Sequence, residues 1–202
     1  MLQTPAKEWT TQLWFNTDAD LSLASLRGQV VVLYAFQMLC PGCVSHGIPQ
    51  AKRVHELFRD DPVSVIGMHS VFEHPEAMTP VALKAFIHEY RITFPVAVDQ
   101  PPEPPERMPR TMRAYDMQGT PSTLLFDAAG MLRRHVFGVY DDLALGRDIG
   151  QLVKEANEGP GSAANPSAER ISDSGEERKE RSCDDSGCLV PQVADEPPGA
   201  DR

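Results

Sequence analysis

The chain of 202 residues predicts an α/β fold over residues 1–156, a mixed central β-sheet flanked by helices. Three observations carry that prediction. Val30-Val31-Val32-Leu33-Tyr34-Ala35-Phe36 is a continuous apolar run rich in β-branched residues, the pattern of a strand buried on both faces. Strand and helix patterns then alternate as far as Asp99, which calls for a sheet covered by helices. Two further strand patterns, Ser122–Asp127 and Met131–Gly138, meet at Asp127-Ala128-Ala129-Gly130, a turn that makes them a hairpin and gives the sheet an antiparallel edge.

The remaining elements follow in order. Asn16–Gly28 is polar with Leu21, Leu23 and Leu26 spaced through it, and reads as an extended lead-in and turn. After the Val30–Phe36 strand, Val44, Ile48, Ala51, Val54, Leu57 and Phe58 recur at helical spacing, so a helix is expected from about Cys40 to Arg59, kinked at Pro49. Pro62 punctuates, and Val63–Met68 is a second strand. Thr79-Pro80 is an N-cap followed by proline at the first helical position. The helix it opens carries Val81, Leu83, Phe86, Ile87 and Tyr90 on its apolar face. Phe94–Asp99 is a short strand, Gln100–Arg110 a proline-dense loop, and Thr111–Met117 a short helix. Asp141-Asp142 caps a last helix through about Ala156, with Leu143, Leu145, Ile149, Leu152 and Val153 inward.

From Asn157 the composition changes to Gly, Pro, Ser and charge, without Phe, Tyr or Trp, so residues 157–202 are expected to form a disordered acidic tail. That tail holds 5 Lys/Arg against 11 Asp/Glu, within a whole-chain net charge of −10. No basic patch or arm appears in either part, which argues against a nucleic-acid partner. No run is long and apolar enough to span a membrane. The N-terminus lacks a continuous apolar segment of the signal-peptide kind. The expectation is therefore a cytoplasmic protein, and in a reducing compartment paired cysteines are more often catalytic or metal-binding than structural.

Cys40-Pro41-Gly42-Cys43 stands between the first buried strand and the first helix. Two cysteines with two residues between them close a small disulfide ring when a helix begins there. The first thiol then meets unpaired backbone N–H groups and the positive end of the helix dipole, both of which favour a thiolate. A thiolate is the species that attacks disulfides and binds metals. A metal-binding carrier using Cys40, Cys43 and His46 therefore stands as an alternative, with Cys183 and Cys188 of the tail able to complete a tetrahedral site. Zinc pairs usually come on knuckles instead of at a buried strand-to-helix junction, so no metal and no other cofactor is assigned.

The strand–Cys-x-x-Cys–helix unit, together with Gly119-Thr120-Pro121 before a later strand, resembles the thioredoxin superfamily. The lead-in Leu21–Gly28 and the extra helix and strand at Thr79–Asp99 are similar to its redoxin and TlpA-like branch, the AhpC/TSA-redoxin-like domains. The resemblance covers about residues 13–156. It implies a thioredoxin-like fold and a thiol-disulfide oxidoreductase. Cys40 would be the attacking thiol, partly exposed, and Cys43 the buried resolving thiol. Pro121 would be a cis-proline, with Thr120, Pro41 and Gly42 contacting substrate. The implied partners are a disulfide-containing protein or a small thiol, and an electron donor.

Some positions depart from that family. Thioredoxin has a buried Asp six residues before the first Cys, where this chain has Tyr34. TlpA-like proteins usually carry a Glu three residues after the second Cys, where this chain has His46, and an aromatic residue before the first Cys, where it has Leu39. By position, His46 is the candidate base for Cys43, with a suitable ordinary pKa of about 6.5. Gln37 is either a thiolate hydrogen-bonder or a strand-end spacer. His69, Glu73 and His74 are read as solvated loop residues, or else as the lining of a pocket. A thiol peroxidase of the peroxiredoxin kind is the second alternative. It is disfavoured because peroxiredoxins place Thr or Ser three residues before the reactive Cys and Pro seven before, where this chain has Gln37 and Leu33. Cys183 and Cys188 are a possible auxiliary redox pair, or bystanders.

Overall fold

The computed structural model describes residues 1–158. Two short strands open it, β1 (Thr4–Pro5) and β2 (Thr11–Phe15). Then come β3 (Val30–Phe36), a π-helical turn Cys43–Gly47 that runs into α1 (Ile48–Leu57), and β4 (Val63–His69). The chain continues through α2 (Pro80–Glu89), β5 (Val96–Asp99), α3 (Arg110–Ala114), β6 (Ser122–Phe126), β7 (Met131–Phe137) and α4 (Asp142–Glu158). The readings for residues 159–202, among them Cys183 and Cys188, lie outside the described residues.

The seven strands form one sheet in the order β1-β7-β6-β3-β4-β5-β2. β3, β4 and β5 are parallel; β6, β7 and β1 on one flank, and β2 on the other, run antiparallel to their neighbours. The central strand β3 is buried at all seven positions. It is paired on both sides, so its side chains alternate between two cores. Val30, Val32, Tyr34 and Phe36 face one, packed against Ile48, Ala51 and Val54 of α1, Leu83 and Ile87 of α2, and Leu145, Ile149 and Leu152 of α4. Val31, Leu33 and Ala35 face the other, against Met112 of α3, Trp9, Leu23 and Leu26. Each such large apolar side chain contributes about 1.5–3 kcal/mol by leaving water. That is why the polar backbone of this strand can be placed at the centre of the molecule.

The predicted caps are in place. The Thr79 side chain accepts from the Ala82 N–H at 3.3 Å, with Pro80 behind it. Asp141 accepts from the Ala144 N–H at 2.9 Å at the start of α4. The turn at Asp127–Gly130 closes with the Gly130 N–H on the Asp127 carbonyl, and Gly130 has a φ of 70°, which suits glycine. Asp148, buried on α4, takes hydrogen bonds from Arg134 at 2.6 Å, Tyr140 at 2.6 Å and Arg147 at 2.9 Å, and ties the helix to β7. Burial alone would raise its pKa, but these donors hold it at about 2.

Several elements differ from the sequence reading. β1 and β2 were not expected. They are short edge strands whose pairing comes from β7 and β5, far away in the chain. Residues 16–28 form bends and turns instead of an extended lead-in. Asn16 ends β2 with a φ of 58°, its amide donating to the Ile92 and Phe94 carbonyls. α3 ends three residues early, at Ala114, and α4 runs on to Glu158.

Candidate active site

β3 delivers its C-terminal end to the surface through Gln37–Leu39, and the Cys40–Cys43 stretch follows as the chain turns into the helix. Cys40 is half-buried and Cys43 fully buried; both are free thiols. Cys43 Sγ donates to Cys40 Sγ at 2.6 Å. The Cys40 sulfur also accepts from the Cys43 N–H at 3.2 Å and donates to the Thr120 carbonyl at 3.4 Å. Thr120 belongs to the loop before β6, and the Thr120–Pro121 peptide bond is cis. A Cβ on Gly42 would lie 3.4 Å from Pro121 Cδ, so the two loops are in van der Waals contact. Cys40, Cys43, Gly42, Thr120 and Pro121, predicted from two distant stretches, therefore form one site, with Pro41 exposed at its edge.

Gln37 is the hub that holds this site. It is 2% exposed. Its amide nitrogen lies 3.3 Å from Glu73 Oε2 and 3.4 Å from Thr120 Oγ1, and its carbonyl oxygen accepts from the N–H groups of Phe72 and Glu73. One buried amide thus joins the dithiol loop, the Pro121 loop and the loop after β4. Of the two readings open for Gln37, a hydrogen-bonder near the thiolate or a spacer, the structure favours the first: its side chain reaches Thr120 beside Cys40 and does not touch the sulfur itself.

Burial pushes the Cys43 thiol above its ordinary pKa, and its bond to Cys40 adds to that. The Gln37 backbone and the Thr120 side chain favour the thiolate, but burial outweighs them. Cys43 is therefore a thiol at rest, as a second-step nucleophile should be.

His46 is not gathered into this site. It is exposed, and lines a separate cleft of about 270 Å³ with Ser45, Arg53, Val139, Tyr140 and Asp142. No hydrogen bond joins it to either cysteine among the described residues. The reason is the π-helical turn. Closed by i→i+5 bonds, it carries more residues per turn than the 3.6 of an α-helix. His46 is then rotated away from the buried face, which Cys43 shares with Gly47 four residues on, as it would on an α-helix. The carrier alternative is corrected for the same reason: among the described residues no three His, Cys, Asp or Glu side chains gather so as to hold a metal, and Cys40, Cys43 and His46 do not make such a set.

His69 is also corrected. It is the last residue of β4, 1% exposed, stacked at 5.3 Å on Phe36, and neither ring nitrogen has a partner among the described residues. It is not a solvated loop residue. Burial holds its pKa down at about 4, against about 6.5 in the unfolded chain. A depressed histidine contributes stability that is present above pH 6.5 and is lost as the pH falls through 4, because the unfolded state takes up the proton first. We expect urea denaturation to report a loss approaching about 3 kcal/mol over that window, from 1.36 kcal/mol per pKa unit. The loss should be absent in His69→Leu; equal pH slopes for the two proteins would refute the assignment.

Two apolar side chains stand exposed near the dithiol: Leu39, 58% exposed beside Cys40, and Phe137, 53% exposed. The Phe137 ring packs on Gly119, 3.0 Å from where a Cβ would stand, which links it to the Thr120–Pro121 loop.

The AhpC/TSA family pattern matches residues 2–135. Among solved structures, a thioredoxin-like superfamily protein is 59% identical, with a TM-score of 0.73 over 75% of this chain and 97% of that one. A thiol-disulfide isomerase from Corynebacterium glutamicum is 51% identical, with a TM-score of 0.71 over the same shares, 75% and 97%. A putative thiol:disulfide interchange protein DsbE from Chlorobium tepidum, 20% identical at a TM-score of 0.56 over 75% and 95%, shares the fold. No curated protein matches the chain. The fold is thioredoxin-like.

Proposed function

The chain belongs to the AhpC/TSA family, and from that premise we propose that it is a thiol-disulfide oxidoreductase working through Cys40 and Cys43. One observation carries the reading: a half-exposed Cys40 sulfur lies 2.6 Å from a fully buried Cys43 sulfur, beside the Thr120 carbonyl. That asymmetry separates an attacking thiol from a resolving one.

The chemistry runs in two displacements. Cys40 thiolate attacks one sulfur of a substrate disulfide. The Cys40–substrate S–S bond forms, the substrate's own S–S bond breaks, and one substrate thiolate leaves. Cys43 then attacks Cys40 Sγ, forms the Cys40–Cys43 disulfide and expels the second thiolate. The two released thiolates take up the two protons given by the cysteines. The substrate gains two electrons, and a separate dithiol donor must return two to the protein. In the cytoplasmic setting proposed for it, the reduced dithiol is the resting form.

The exposed Leu39 and Phe137 near the dithiol support a polypeptide substrate with an apolar segment beside its disulfide. The thiol peroxidase reading is the weaker one. Gln37 stands where a peroxide-orienting hydroxyl would be, and its amide is already engaged by Glu73, Thr120 and the backbone. The test is a mixed-disulfide trap. With oxidised glutathione, Cys43→Ser should accumulate a one-to-one adduct on Cys40 by mass spectrometry, and the wild type should pass through it to the internal disulfide. A wild-type protein that stays a dithiol under excess oxidised glutathione would refute the reading.

A further inference from the structure

The Tyr34 hydroxyl is buried and has no hydrogen-bond partner among the described residues. An orphaned buried hydroxyl is destabilising, and Phe in its place would keep the packing without that cost. The helix above is built to admit it. The place a Cβ on Gly47 would take is occupied by the Tyr34 hydroxyl. Gly47, four residues after Cys43, is buried on the same face of the π-helical turn, and the Tyr34 hydroxyl lies against it. Such turns are frequent at functional sites. Tyr34 and Cys43 lie in one core cluster, with Cys40 packed against it. Thr123, opposite Tyr34 in the β3–β6 register, presents a second buried hydroxyl without a partner among the described residues.

We propose that Tyr34 is a positioning residue for the resolving step: its hydroxyl donates a hydrogen bond to the Cys43 thiolate as that thiolate forms and attacks Cys40. The proposal rests on the exchange reading above. In the resting dithiol, Cys43 shares its proton with Cys40. Once Cys40 is bonded to substrate, that arrangement is spent, and a negative charge has to develop on Cys43 inside the core. A preorganised neutral donor stabilises such a charge without itself ionising. Tyr34 keeps its proton throughout; the proton of Cys43 leaves with the first released substrate thiolate. Burial, and the charges of Cys43 and Cys40, hold the phenol well above its ordinary pKa, so the group can only donate. The orphan of the resting state is thus a donor whose acceptor exists only during turnover.

The test is single-turnover reaction with oxidised glutathione, quenched in acid and resolved by mass. Tyr34→Phe should form the Cys40–glutathione adduct at the wild-type rate, resolve it about tenfold more slowly, as expected for a lost hydrogen bond to a charged group, and melt no lower than wild type. A resolution rate within about twofold of wild type would overturn the proposal. Should Tyr34→Phe fail to fold, 3-fluorotyrosine at position 34, the same shape with a stronger donor, should accelerate resolution; an unchanged rate would overturn it equally. Absence of any Cys40–glutathione adduct in the wild type would instead remove the exchange reading, and this proposal with it.

Discussion

Cys40→Ser should abolish disulfide reduction while leaving the fold intact. Insulin-disulfide turnover is expected to fall to the solution background, about a thousandfold or more, as when a covalent nucleophile is removed. The serine oxygen can keep both local contacts, accepting from the Cys43 N–H and donating to the Thr120 carbonyl, which Cys40 makes at 3.2 and 3.4 Å. Cys40 is only half-buried, so the stability change should stay within about 1 kcal/mol. Loss of activity with an unchanged urea midpoint then isolates chemistry from folding. Peroxide consumption followed in the same preparations separates the two readings of the site. The exchange reading expects slow peroxide turnover in the wild type, because Gln37 offers no free hydroxyl to orient a peroxide. Retained insulin reduction in Cys40→Ser would remove Cys40 from the mechanism altogether.

Gly47→Ala should be strongly destabilising although the change is a single methyl. The added methyl would have to share the space of the Tyr34 hydroxyl, with the ring carbons close behind. Neither side can yield easily: Tyr34 is fixed in the fully buried central strand, and Gly47 in the helix beside Cys43. Overpacking of this kind costs about 1–3 kcal/mol and sometimes more, and here the upper end is expected. Chemical denaturation of Gly47→Ala and of Gly150→Ala gives an internal comparison. Gly150 on α4 has nothing within 4 Å of a Cβ, so the same methyl there should be neutral or stabilising by up to about 1 kcal/mol. A Tyr34→Ala, Gly47→Ala double variant should be destabilised by clearly less than the sum of the two single changes, as for residues in direct contact. Additive effects would show that the two do not compete for one space.

Much of the site was legible because its two halves carry local signatures. A strand followed by Cys-x-x-Cys and a helix is a pattern of neighbours, and Thr120-Pro121 before Ser122–Phe126 is another. What the residues did not reveal was the machinery around the sulfurs. His46 was the candidate base because it stands where TlpA-like proteins carry a Glu, three residues after the second Cys; the wider turn carries it outward. Gln37 could be named, but not its three-way bridge, since Phe72, Glu73 and Thr120 reach it from remote loops. His69 looked like loop because it follows a strand pattern ending at Met68; one more residue of pairing, with Val98 on β5, keeps it in the sheet.

By itself, the sequence determined the order of strands and helices from β3 onward, the buried central strand, the caps at Thr79 and Asp141, and the dithiol at the strand's end. All of these follow from periodicity and from the chemistry of adjacent residues. Only the tertiary structure decided which buried atoms meet. The edge strands β1 and β2 exist because distant strands offer them partners. The Tyr34 hydroxyl is buried against Gly47 because the central strand and the helix above it pack that closely there. Local patterns set which side of an element is buried. Contact inside the core depends on register and rotation at the level of a single residue, and those are set by the packing of segments far apart in the chain.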